Sequence, residues 1–197
     1  SVGYLKAEVA KEIIGFRRVR QYFVLLHLFI LAMFFAIVTT NPILMWIAIE
    51  ATTLSTAFLI SFYNKPSAME AAWKYLIINS VGLLLGFFGT LLFLYPSLSA
   101  GSHGFISWNS ILSNAKSFDP FVAKIAFIFV LVGYGTKVGF APMHTWRPDA
   151  YSKAPIPIVA LFSGSLLNVA FFALLKFKSG CVVIPSSSMP ILTPLPV

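Results

Sequence analysis

Five long apolar stretches, with one long loop rich in Ser, Gly and Asn at residues 96–119, leave this chain few ways to fold. Each is long enough to cross a bilayer, for which a helix needs about 20 apolar residues. The first, at about residues 21–40, reads "QYFVLLHLFILAMFFAIVTT". The second runs over about 42–63 and the third, "SAMEAAWKYLIINSVGLLLGFFGTLLFLY", over about 67–95. The fourth spans about 120–146 and the fifth about 154–177, opened by Pro155 and Pro157, which suit a first helical turn. Period-2 alternation is absent, which argues against a β-barrel. Only 10% of residues are charged and 58% are hydrophobic, whereas a soluble domain carries about 25% charge. The expected fold is therefore an all-α, polytopic transmembrane helix bundle of five spanning helices, the fourth discontinuous. Residues 1–20 form a polar, basic arm, 21–178 the transmembrane unit, and 179–197, "SGCVVIPSSSMPILTPLPV", an irregular Pro-rich tail outside the bilayer. The sequence opens on Ser1 with neither an initiator Met nor a signal peptide, so a chain cut from something longer, or processed, is expected.

The net charge of +8 marks cytoplasmic loops in a membrane protein rather than a nucleic-acid partner. Five spans place the arm, the second-to-third loop and the fourth-to-fifth loop on one side. That side holds Lys6, Lys11, Arg17, Arg18, Arg20, Lys65, Arg147 and Lys153. The other side holds Lys116, Lys124, Lys176 and Lys178. The richer side, with the arm, is expected to be cytoplasmic. The single cysteine, Cys181, rules out an internal disulfide and any iron–sulfur or zinc site built of several thiolates.

Three charges fall inside the spans: Glu50, Lys74 and Lys137. Such a group at the centre of a spanning helix costs about 2.5–3.5 kcal/mol on insertion scales. The residues alone point to an intramembrane charge relay or ion pathway, against a structural ion pair that pins helix packing. Lys74, near the start of its span, could also snorkel outward. Around Lys137, "GYGTKVGFAPMHTW" places Gly133, Gly135, Gly139 and Pro142, which mark a helix break of the kind that lines a wet cavity or is buried in protein. Gly82, Gly86 and Gly89 of "GLLLGFFG" read as a close-packing face. His27 and His144 are candidates either for packing and anchoring or for carrying protons. The polar faces call for partner helices to cover them.

The strings "MWIAIEATTLSTAFLISFY", "EAAWKYL" and "GTKVGFAPMHTWRPDAYSKAPIPIVALFSG" resemble the antiporter-like subunits of respiratory complex I, Mrp-type cation/proton antiporters and membrane-bound hydrogenases. They look closest to the large membrane subunit of the hydrogenase-4 and formate hydrogenlyase group. The resemblance runs from about Tyr4 to Lys178 and implies the first of two inverted five-helix repeats. It implies a proton-translocating subunit without a catalytic centre or prosthetic group, in a prokaryotic inner membrane. Its partners would be lipid, other membrane subunits and a hydrogenase-like or quinone-linked redox arm. Residue by residue, Glu50 matches the family's channel glutamate, Lys137 the lysine on the broken helix, and Lys74 the lysine that modulates the glutamate. Glu50 is therefore expected to face Lys74 across the second and third helices, with Lys137 on the same internal axis.

The chain departs from the family pattern "PxHxWLPDAHxEAP": it reads "PMHTWRPDAYSKAP", with Arg147, Tyr151 and Lys153 at the variable places. Where relatives carry His or Lys on the fifth helix, Ser163, Ser165 and Asn168 stand, of which Ser163 is a candidate relay hydroxyl. Two other functions compete: an Mrp-type cation/proton antiporter subunit, and a single-repeat remnant that conducts nothing.

Overall fold

A computed structural model describes residues 2–10, 15–99, 106–114 and 118–182, and of residues 98, 99 and 182 the backbone alone. The described residues are helical with short connections. The helices are α1 (Val2–Ala10), α2 (Phe16–Val38), α3 (Pro42–Ile60), α4 (Pro66–Ser99), α5 (Trp108–Asn114), α6 (Pro120–Val138), α7 (Trp146–Lys153), α8 (Ile156–Leu161) and α9 (Leu167–Val182). A 3-10 turn, Ser61–Tyr63, closes α3, and a π-turn, Phe162–Leu166, joins α8 to α9 without interrupting the rod. Five segments are long and apolar enough to cross a membrane: Phe16–Val38, Pro42–Tyr63, Pro66–Ser97, Pro120–Val138 and Ile156–Cys181.

Local chemistry sets the ends. Asn41 caps α3, its side chain accepting from the Ile43 and Leu44 amides at 2.8 and 3.3 Å, with Pro42 in the first turn. Asp119 and Pro120 repeat the device on α6. The bundle is inverted relative to a soluble protein. Val24, Leu31, Phe58, Ile77 and Leu84 are exposed, while Thr52, Thr53, Ser55, Thr56, Asn79 and Thr90 are buried. Several buried hydroxyls turn onto their own helix: Thr52 onto Ile49, Ser55 onto Ala51, Thr90 onto Gly86. That satisfies a polar group where lipid offers no partner.

Helix α3 lies between α2 and α4, and α4 packs along α6 through glycines. A Cβ on Gly133 would meet the Gly86 backbone at 2.3–2.4 Å, so the two chains approach as closely as hydrogen side chains allow. Gly82 receives Thr136 in the same way, and Gly89 the Ala126 carbonyl. The arm, the Ser61–Tyr63 turn and α7 lie at one end: the Tyr4 and Tyr63 hydroxyls are hydrogen-bonded, and Lys74 of α4 reaches Asp149 of α7.

Three boundaries differ from expectation. α2 begins at Phe16, so Arg17, Arg18 and Arg20 extend the first span as helix instead of belonging to an arm. α4 has 34 residues, about 51 Å at 1.5 Å per residue, and outruns a hydrocarbon core of about 30 Å. α9 continues past Lys178 to Val182, with Ser179 bonded to the Lys176 carbonyl, Cys181 buried and Gly180 near Ile111 of α5. The expected irregular tail therefore starts as helix at 179–182, and its remainder, 183–197, lies outside the described residues.

Candidate functional site

Glu50 and Thr53 stand three residues apart on α3 and share a face. Half-buried Glu50 accepts from the Ser80 hydroxyl of α4 through Oε1 at 2.9 Å. Its Oε2 lies 3.3 Å from Thr53 Oγ1. From the other side, Lys137 Nζ donates to Thr53 Oγ1 at 2.9 Å and to the Tyr75 hydroxyl. One threonine hydroxyl thus joins the acid to the lysine. It has a single proton to give, and its two acceptors, Glu50 Oε2 and the Ile49 carbonyl, are equally near at 3.3 Å.

Lys137 is completely buried. An ammonium in that position needs hydrogen-bond acceptors, because removal from water is otherwise prohibitive. Thr53, Tyr75 and the Tyr75 ring, whose centroid is 4.8 Å from Nζ, provide the surroundings. Among the described residues the ion pairs are those of Lys74, so Glu50 and Lys137 share the Thr53 hydroxyl without a direct ion pair.

The helix break positions the lysine. α6 ends directly after Lys137, at Val138, and Gly139 takes the left-handed conformation (φ 84°) that closes it. The Gly135 carbonyl receives the amides of Gly139 and Phe140 at 2.8 and 2.9 Å. Trp146, fully buried at the start of α7, donates its indole N–H to the Thr136 carbonyl at 3.0 Å. Its ring meets Tyr75 edge-on, with centroids 5.0 Å apart. One side chain therefore stabilises the broken helix end and braces the tyrosine that holds Lys137. Beyond the break, Gly139, Ala141, His144, Arg147 and Tyr151 line a cavity of about 490 Å³.

Several expected members are elsewhere. Lys74 does not face Glu50: it is half-exposed and pairs with Glu70 at 2.8 Å and Asp149 at 3.2 Å. It lies near the start of α4, where one residue's rotation sends Tyr75 inward and Lys74 out. Gly133 belongs to the α4 contact instead of the break, since the helix continues through it. Gly135 and Gly139 form the break, and Pro142 follows in the turn after a cis Ala141–Pro142 bond. His27 is exposed, its Nδ1 against its own helix at the Phe23 carbonyl. His144 is exposed beside the outer cavity, and Ser163 is exposed with its hydroxyl on the Ala160 carbonyl. None of these three reaches the Glu50–Lys137 pair through a hydrogen bond.

Thr53, Tyr75 and Ser80 were not singled out by the sequence, although Thr53 carried a signal: it is the only hydroxyl residue three or four positions after Glu50 in "IEATTLS". For Tyr75 the neighbouring lysine drew attention away from it.

A family model described as "NADH:quinone oxidoreductase/Mrp antiporter, TM" matches residues 39–192, and so continues past Lys178, where the resemblance had been expected to end. A hydrogenase-4 component F homolog from Methylacidiphilum infernorum is 42% identical over 162 residues, covering 81% of this chain and 34% of that protein. NADH-quinone oxidoreductase subunit N from Azobacteroides pseudotrichonymphae is 33% identical, covering 79% and 31%. Respiratory complex I from Thermus thermophilus contains a chain that superposes with a TM-score of 0.66 at 28% identity, covering 87% of this chain and 36% of its own. An archaeal membrane-bound sulfane sulfur reductase shares the fold, with a TM-score of 0.70 at 23% identity over 79% of this chain and 31% of its own. This chain spans about a third of the length of these relatives. With its five spanning helices and a match over most of its length, it belongs to the NADH:quinone oxidoreductase/Mrp antiporter transmembrane family.

Proposed function

We propose that this chain supplies a proton-transfer path to a membrane subunit of a hydrogenase or complex-I-like oxidoreductase. The observation that carries the proposal is the shared hydroxyl between buried Lys137 and Glu50. A proton leaving Lys137 Nζ passes to Thr53 Oγ1 as the Thr53 proton passes to Glu50 Oε2. The step converts an ammonium and a carboxylate into an amine and a carboxylic acid, and the threonine ends as it began. Both neutral products suit a low-dielectric site better than two separated charges, so the pair can store a proton or release it in response to a small movement. The break after Lys137 supports such movement, because the Gly139 corner is not held by a continuous helix. Lys74, Glu70 and Asp149 then form a charged cluster at the arm end, where they modulate the path instead of carrying the proton.

The relatives named as hydrogenase-4 and NADH-quinone oxidoreductase components support a redox-driven complex over a free-standing antiporter. On this reading the chain lies in a prokaryotic inner membrane, with the basic end cytoplasmic and a redox arm among its partners. Glu50→Gln and Lys137→Ala in the parent complex should each abolish most proton transfer while assembly is retained. Measuring transfer with and without an electron donor separates the redox-driven subunit from an Mrp-type exchanger. Full pumping by Glu50→Gln would reduce the pair to a structural contact.

A further inference from the structure

At the arm end, α2 and the close of α3 leave a groove of about 570 Å³ that no described residue fills. Its upper wall is cationic and polar, with Arg18, Arg20 and Gln21, and Ser61 stands opposite on the turn after α3. Its lower wall is apolar: Val24 and Phe58, each 62% exposed, face outward along the spanning segments. The first turn of α2 holds no acid, and neither arginine enters an ion pair among the described residues. A second, almost wholly apolar groove of about 660 Å³ runs down the other side of α2 past Val19 and Phe23. The two grooves share Arg20 and Val24.

We propose that this end of α2 binds one anionic phospholipid, its phosphate on Arg18 and Arg20 and its two acyl chains in the two grooves. The chemistry selects that occupant. Water would leave Val24 and Phe58 wet, and a free anion would leave the apolar walls uncovered. A zwitterionic lipid would bring a positive group to a doubly cationic rim. A lipid with a net negative headgroup matches both walls, and guanidinium forks grip phosphate oxygens in pairs. Its position beside the turn that closes α3 puts the lipid at the base of the helix that carries Glu50 and Thr53.

The test uses the full chain in phosphatidylcholine nanodiscs containing a photoactivatable lipid, either phosphatidylglycerol or phosphatidylcholine, with cross-links mapped by mass spectrometry. Phosphatidylglycerol should label the Val24 and Phe58 region of the wild type about 25-fold more than phosphatidylcholine, at roughly five-fold per arginine near the surface. The Arg18→Gln/Arg20→Gln pair should erase that preference. Arg18→Lys/Arg20→Lys should keep most of it, which controls for folding. Lys176→Gln, at the other end of the bundle, should leave it intact. Equal labelling by the two lipids in the wild type would overturn the proposal, as would a preference that survives the double glutamine variant. Displacement of the label by millimolar inorganic phosphate would also overturn it, by showing a free-anion site instead of a lipid site.

Discussion

Gly133→Ala is the most informative single methyl that could be added to this bundle. Its Cβ would stand 2.3 Å from the Gly86 amide nitrogen, 2.4 Å from Gly86 Cα and 2.8 Å from the Gly82 carbonyl. All three are backbone atoms, so no rotamer relieves the overlap. Restoring a carbon contact of about 3.5 Å requires α4 and α6 to part by roughly 1 Å. Overpacking of that kind costs about 1–3 kcal/mol. It also moves Lys137, one helical turn along the same face, away from Tyr75 of α4. The mirror substitution provides the control: a Cβ on Gly86 meets its nearest atoms, Gly133 Cα and the Tyr134 ring, at 3.4 Å, an ordinary contact. Gly86→Ala should therefore be neutral or slightly stabilising, since alanine is favoured over glycine in a helix by about 1 kcal/mol. Thermal unfolding in detergent, followed by circular dichroism at a fixed detergent ratio, should show Gly133→Ala melting several degrees lower and Gly86→Ala unchanged or higher. Equal midpoints, or Gly86→Ala as the weaker variant, would refute the close-approach reasoning.

Tyr75→Phe removes one of two hydroxyls that receive the buried ammonium and should destabilise the fold by about 1–3 kcal/mol, measurable by the same melts; it should also slow proton transfer in the parent complex. Asn41→Ala uncaps α3 and should cost about 1 kcal/mol without changing the transfer rate. Lys74→Gln breaks exposed pairs with Glu70 and Asp149 and should leave the fold intact and most transfer in place, as proton-pumping assays would show. A loss as large as that of Lys137→Ala would restore Lys74 to the path.

The parts of the site that carry charge were legible because lipid makes charge expensive. Glu50 and Lys137 stand out in apolar runs, and the close-packing reading of Gly82, Gly86 and Gly89 follows from the need for backbones to touch where no hydrophobic force separates protein from lipid. Thr53 was hidden among four buried hydroxyls, Thr52, Thr53, Ser55 and Thr56. Thr52 and Ser55 bond to their own helix, and only the packing of α6 shows which hydroxyl meets Lys137. Lys74 misled because the family resemblance paired it with Glu50, and nothing in the sequence fixes which way a residue at that place on the helix turns. Helical rotation turns Lys74 outward to Glu70 and Asp149, while Tyr75, one residue on, points into the bundle. The three glycines before and after Lys137 looked alike in sequence. Tertiary contact assigns Gly133 to α4, and backbone geometry assigns Gly139 to the corner.

The central claim is that the Thr53 hydroxyl passes the proton between Lys137 and Glu50, and Thr53→Val tests it most directly. Valine keeps the shape and removes the oxygen, while Thr53→Ser keeps the oxygen and removes a methyl. Proton uptake by liposomes containing the parent complex, read with a pH-sensitive dye under constant electron flux, should fall at least about ten-fold in Thr53→Val. That corresponds to a barrier raised by about 1.4 kcal/mol or more. Thr53→Ser should retain most of the wild-type rate. Wild-type uptake by Thr53→Val, with Glu50 and Lys137 in place, would contradict the account.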